Sequence, residues 1–216
     1  MFKFLILILF HLYLPLAMAK TPVTQEHTTV AEPKTDPVVA ESLASAGGNI
    51  ITRREAEISY WVEKILFSAD KKMDIGALTS DLLLEQVVFF EAENFNVGQV
   101  SAEELKKNQD KVEQQFQLLP AAKVLQPTKD ELKKIVRRKV LAKNFLELKT
   151  KSLSTIVSDD EARTYFDKNR AKFGEIPFEN LKENIKTFLS KKQLEDRLTH
   201  WFEVIKRKYK ARFLQS

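Results

Sequence analysis

The chain of 216 residues contains no cysteine. That removes disulfides, thiolate nucleophiles and zinc or iron–sulfur sites built on Cys. It also removes the lipid-modified Cys that a bacterial lipoprotein anchor needs. Glycine and proline are scarce, five and seven in all, and they gather in loops and near the N-terminus. A chain so short of turn-forming residues favours long helices over a sheet-rich fold. Histidine is limited to His11, His27 and His200. His27 lies in a polar, Pro-containing stretch, and His200 stands in a helical pattern where a partly exposed side chain is the plain expectation. No EF-hand loop, HExxH, P-loop, GxSxG or Gly-rich phosphate loop occurs. No Asn-x-Ser/Thr sequon occurs either, which leans towards a bacterial envelope.

What is present is charge of both signs. Lys and Arg number 35 against 30 Asp and Glu, a formal net charge of +5. The two signs are interleaved along helical patterns, so a solvated surface laced with ion pairs is expected. No aromatic–basic motif accompanies the charge, and no nucleic-acid partner is expected. Asp159-Asp160-Glu161 and the pair Asp110 and Glu113 are the acidic groupings. The first suits the opening turn of a helix, where carboxylates complement the dipole, and the second suits a solvated face. No catalytic residue, metal ligand or cofactor is expected.

The N-terminus reads as an address. Lys3 supplies a positive start, Phe4 to Leu16 an apolar stretch, and Ala17-Met18-Ala19 a small-x-small cleavage site, with cutting between Ala19 and Lys20. The apolar stretch is shorter than the ~20 residues that span a bilayer, so no stable membrane span is expected after cleavage. Residues 20–48 follow, rich in Thr, Pro, Val, Ala, Ser and Glu, and read as a disordered leader. The expected organisation is a signal peptide at 1–19, the leader at 20–48 and one helical domain at 49–214.

Within that domain Asn49-Ile50-Ile51 reads as a short strand. Four pairs have the spacing of capping boxes and mark helix starts: Thr52 with Glu55, Ser101 with Glu104, Thr128 with Glu131, and Ser158 with Glu161. The helix after Thr52 buries Ile58, Trp61, Val62, Ile65 and Leu66. A second helix, from Asp74 or Ser80 to Asn94, is apolar on more than one face and reads as central. The helix after Ser101 is polar and reads as outermost. Pro120 to Pro127 reads as a loop. The helix after Thr128 turns Leu132, Ile135, Val136, Val140, Leu141, Phe145 and Leu148 inward. From Pro177, placed at the first helical position, apolar residues recur in steps of three and four from Phe178 to Tyr209. Ala211 to Leu214 then reads as a second strand. With two isolated strands at the ends of the domain, backbone hydrogen bonding predicts that Ile50-Ile51 pairs with Arg212-Phe213. The fold class expected is all-α, a multi-helix module with a long C-terminal helix and a small two-stranded sheet joining its ends.

This order of parts resembles a known module. The strand and turn ending Ile51-Thr52-Arg53-Arg54-Glu55, the helix from Leu82 to Glu93, the box at Val100 to Glu104, the run from Val157 to Phe173 and the closing helix from Pro177 through Trp201 to Phe213 together are similar to the chaperone region of the SurA-like periplasmic chaperones and the related parvulin-type foldases. The resemblance spans about Asn49 to Leu214. In that family a prolyl isomerase domain usually follows the segment matching Tyr165 to Phe173. Here Phe173 is followed by Gly174-Glu175-Ile176 and then Pro177.

The resemblance therefore implies a periplasmic holdase without isomerase activity. Its partners would be unfolded or partly folded envelope and outer-membrane polypeptides, bound in apolar grooves. Phe67, Phe95, Phe116, Leu118 and Leu119, near helix ends or on the thinner apolar lines, are the candidate client-binding residues. An envelope adaptor that holds one folded partner is the alternative. Exchange of the long helix between two chains would give a homodimer.

Overall fold

A computed structural model of the chain describes residues 41–214. The proposed signal peptide, its Ala19–Lys20 cleavage point and most of the leader lie outside the described residues. The described part is mostly helical, with a small three-stranded antiparallel sheet.

The sheet starts earlier in the chain than the strand at Asn49 suggests. β1, Ser42–Ala46, falls inside the stretch read as leader and pairs with β2, Asn49–Thr52. The turn between them is Gly47-Gly48, with φ of 57° and 85°. Positive φ at both central residues is what a two-residue hairpin of the I′ type requires. Gly47 is needed for a second reason: a Cβ there would lie 2.5 Å from the Phe90 ring. The long helix then returns β3, Arg212–Phe213, to the opposite edge of β1, giving the order β2-β1-β3. The sheet has three strands, and Arg212 and Phe213 pair with Ser45 and Ala44 rather than with Ile50-Ile51. The small residues of β1 carry little of the β-branched, apolar signal by which strands are read, and the glycines that close the hairpin look like a linker.

α1, Arg53–Phe67, follows β2 directly. α2, Ile75–Phe95, is capped by Asp74, whose side chain accepts from the Ala77 N–H, and it ends at Asn96 with φ of 52°. Residues buried around its whole circumference, from Leu78 through Val87 to Ala92, place it centrally. It packs on α1, on β1, on α5 and on α7. α3 (Ala102–Phe116) lies outside, with Val112 and Phe116 turned inward. The segment between the prolines is not all loop: Ala121–Leu125 forms a short helix, α4. α5, Lys129–Leu153, crosses the body. Ile58 and Val62 of α1, Val112 and Phe116 of α3, Leu125 of α4 and Leu132, Ile135, Val136 and Val140 of α5 form one continuous apolar core. Each such side chain contributes about 1.5–3 kcal/mol on burial.

The four helix-start pairs divide evenly. Thr128 with Glu131 and Ser158 with Glu161 make both reciprocal bonds. Thr52 and Ser101 accept from the backbone of Glu55 and Glu104 as expected. The Glu55 carboxylate instead accepts from Arg138 at 2.6 Å. A tertiary ion pair has taken over a side chain that local pattern assigns to a cap.

α6, Asp159–Lys168, and a 3-10 turn at Arg170–Lys172 lead through Gly174 to α7, Phe178–Lys208. Pro177 occupies the N-cap, with ψ of 149°, rather than the first helical position. At 1.5 Å per residue the 31 residues of α7 span about 46 Å. Its two halves serve different partners. Phe178 and Ile185 pack with Ala162 and Phe166 of α6 into a separate small core. Near the other end, Lys208 pairs with Glu91 of α2 and Tyr209 packs on Phe90.

Candidate functional site

Two groupings of side chains stand out, one closed and one open. The closed one is a network of charge inside the body. Arg138 of α5 is buried and donates to Glu55 (2.6 Å), Glu85 (2.8 Å) and Gln86 (2.9 Å). Lys139, also buried, reaches Glu63 at 3.2 Å and Glu85 at 2.8 Å. Lys71, in the loop between α1 and α2, reaches Glu63 at 2.9 Å and Asp81 at 2.8 Å. One chain of ion pairs thus ties α1, α2, α5 and a loop together.

The network's titrations follow from its geometry. Burial would push the Glu63 carboxyl up, but Lys139 and Lys71 outweigh it and hold Glu63 below its ordinary value. Burial would lower Lys71, and Asp81 and Glu63 raise it instead. Asp81 goes the other way, pushed up by burial that Lys71 only partly offsets. Four carboxylates face three cations, so the surplus negative charge falls where the compensation is weakest. Each charged side chain here has an ion-pair partner, and among the described residues the Arg138 Nη2 is a buried atom with no hydrogen-bond partner. This is the chemistry of a structural ion cluster. Among the described residues no grouping of three or more His, Asp or Glu is placed to hold a metal ion.

The open grouping is aromatic. Phe95, at the last turn of α2, is 58% exposed and stacks on Phe145 of α5, with ring centroids 6.4 Å apart and planes 12° apart. Phe145, itself buried, meets Trp201 of α7 at 6.1 Å. Leu148 lies one turn beyond Phe145 and Val204 one turn beyond Trp201, so each extends the same face of its helix, and both are exposed. Val97, also exposed, lies in the loop that follows α2. Gly98, at φ of 76°, lets that loop lie on α5: a Cβ there would be 2.9 Å from the Phe145 backbone nitrogen. Three elements therefore present one apolar face.

Lysines stand at the margin of that face. The Lys149 ammonium lies 5.4 Å from the Trp201 centroid, and the Lys208 ammonium lies 5.6 Å from that of Phe95. Such placements are favourable in themselves, by about 0.5–1 kcal/mol at exposed sites. Lys208 is also paired with the buried Glu91, and that bond raises it above its ordinary value. Among the described residues no carboxylate pairs with Lys149.

The five residues named from sequence do not converge. Phe95 belongs to the open face. Phe67 is half-buried at the end of α1, with Lys143 over its ring at 5.4 Å. Phe116 is 1% exposed and is a core residue, which removes it as a surface for a client. The lone apolar line of a polar helix is its route into the core, not a free patch. Leu119 packs against that core from the side, whereas Leu118 is 83% exposed at the far end of α3.

The sequence pattern turns Phe145 inward and puts Trp201 within the apolar steps of the long helix, and gives no sign that Phe145 joins Trp201 to Phe95. Leu148 and Val204 held the usable signal, since each places a large apolar side chain one turn beyond an aromatic residue of its helix and is exposed. His200, next to Trp201, is exposed on α7. No helix among the described residues is long and apolar enough to cross a membrane. No family model, no curated protein and no solved structure matches this chain.

Proposed function

We propose that this protein is an exported, periplasmic holdase: a non-enzymatic chaperone for unfolded or partly folded envelope and outer-membrane polypeptides. The observation that carries the reading is the apolar face on which Phe95, Leu148 and Val204 are exposed, around half-buried Trp201 and over buried Phe145. An unfolded chain differs from a folded one chiefly in the apolar side chains it shows to water. A broad aromatic face binds such side chains by area, without demanding one sequence. Because aromatic rings are stiff, they lose little entropy when a client docks.

The similarity of the sequence to the SurA-like module supports the same reading, as does its N-terminal address. The link from α6 to α7 supports the absence of isomerase activity. Phe173, Gly174 and Pro177 pass from the 3-10 turn straight into the long helix, which leaves that span of chain no length for a catalytic domain.

The test is light scattering from a chemically unfolded porin, or from heated citrate synthase, diluted into buffer with and without the protein. A holdase suppresses aggregation in proportion to its concentration, and Phe95→Ser weakens that suppression while the helical circular dichroism is retained. A proline-peptide isomerisation assay run alongside gives no turnover. No suppression, together with capture of one folded stoichiometric partner, would assign the protein as an envelope adaptor instead.

A further inference from the structure

The margin of the aromatic face carries information about what it takes. Lys149 is half-buried against Trp201, and no carboxylate among the described residues neutralises it. Many cations of the body are matched, although Lys64, over Tyr60 and Trp61, has no carboxylate among the described residues either. Arg138 and Lys139 are shared among Glu55, Glu63 and Glu85, Lys71 lies between Glu63 and Asp81, and Lys208 on the same margin is held by Glu91. Lys149 has no such partner among the described residues, and it stands beside the aromatic grouping of Phe95, Phe145 and Trp201. An ammonium laid over an indole and partly shielded from water attracts a carboxylate more strongly than a fully hydrated one does.

We propose that this face selects polypeptide segments in which a bulky apolar side chain is flanked by carboxylates. The apolar side chain seats on Phe95 and Trp201, and the acid reaches Lys149. This deepens the holdase reading and rests on it for the class of partner. It adds a charge preference, so acidic apolar segments are held and lysine-rich ones are turned away. Discrimination arises from attraction in one case and like-charge juxtaposition in the other.

The experiment uses the purified protein and three labelled peptides read by fluorescence anisotropy. All share one backbone sequence. One has Leu flanked by Glu, one has Leu flanked by Lys, and one has Ser in place of Leu between the Glu residues. The Trp201 indole N–H resonance reports whether binding occurs at this face. The Glu-flanked peptide should bind about fivefold more tightly than the Lys-flanked one, the scale of a single partly exposed ion pair. The Ser peptide should not bind. Lys149→Glu should reverse the preference, and Phe95→Ser should weaken both Leu peptides alike.

Equal affinity for the two Leu peptides, or a ratio unmoved by Lys149→Glu, would overturn the proposal. So would tight binding to vesicles of anionic phospholipid, through the same indole resonance, with no peptide bound. The client-aggregation assay separates this failure from that of the broader reading. Protection of clients with no charge preference leaves the holdase standing and the selectivity wrong. A charge preference that Lys149→Glu reverses, without any protection, does the opposite.

Discussion

At the centre of the body, Arg138 and Lys139 are buried among Glu55, Glu63, Glu85 and Gln86. In the hairpin of α6 and the first half of α7, the buried set is Ala162, Phe166, Phe178 and Ile185, with no charge among them. The hairpin's ion pairs, Asp159 with Lys182 and Lys186 and Arg163 with Glu179, lie on its surface. The contrast concerns specificity as much as stability. Three helices that meet through apolar contact alone can slide by a turn. A guanidinium that must reach α1 and α2 at once fixes their relative heights. A two-helix hairpin with a short link has its register set by connectivity and needs no such device. It relies on packed rings instead: Phe166 stacks on Phe173 at 5.2 Å and meets Phe178 edge to face at 5.5 Å.

The largest expected effect breaks the body. Arg138→Leu leaves Glu55 without its cation and Glu85 with Lys139 alone, both in a poorly solvated site. Removing one member of a buried ion cluster typically costs about 3–5 kcal/mol. Urea denaturation should show that loss as a lower midpoint with one cooperative transition. A loss below about 1 kcal/mol would mean that water reaches the cluster and that the apolar core alone sets the helix heights.

Phe166→Ala should cut the hairpin and spare the body. Deleting a buried Phe side chain costs about 3–5 kcal/mol, a large share of what a cluster with four buried residues contributes. Backbone amides of residues 159–189 should then exchange with solvent much faster, while those of α2 and of α5 up to Phe145 keep their protection. Equal loss across both regions would show that the two cores fold as one unit and that the contrast between them is only in composition.

How far the sequence announced these two regions depends on the range of the signal. Helix starts were legible because a capping pair is local: Thr128 with Glu131 and Ser158 with Glu161 formed as their spacing implied. The continuous apolar character of α2 marked it as central for the same reason. β1 was hidden because Ala44 and Ala46 pack through small size, against Ile51 and beneath the sheet, and present no alternating pattern of large side chains. Arg138 and Lys139 were hidden more completely. A cationic pair on a helix otherwise covered in charge looks solvated, and only the arrival of Glu55, Glu63 and Glu85 from other helices makes it interior. The open face was half legible: Phe95 could be named from its place at a helix end, but its stacking partner Phe145 lies about fifty residues further on, and Trp201, which Phe145 meets, about fifty more.

The smallest expected effect sharpens the contrast through acid and salt. Glu63 and Glu131 in the body and Asp159 in the hairpin all sit below their ordinary values. The causes are Lys139 and Lys71 prevailing over burial for Glu63, Arg54 for Glu131, and Lys182 then Lys186 for Asp159. A depressed carboxylate stabilises the fold above its unfolded pKa, and that contribution is lost as pH falls through the folded value. For Glu131 that window runs from 4.5 down to about 2. Asp81 has the opposite sign, because its raised pKa favours the fold in acid and that contribution fades as pH rises through the raised value. Both regions should therefore loosen below the usual carboxylate range, but salt should separate them. The Asp159 pairs are exposed and are screened once the Debye length falls to about 3 Å near 1 M salt, whereas the Glu63 pairs are sheltered. Amide chemical shifts followed by NMR through an acid titration should show the hairpin's pH response shrinking in high salt and shrinking further in Asp159→Asn, to the part that Glu161, held down by Ser158, supplies, with the response of α1 and α2 unchanged. A hairpin response that high salt leaves intact would mean that Asp159 is as sheltered as Glu63, and that the two regions do not differ in where they keep their charge.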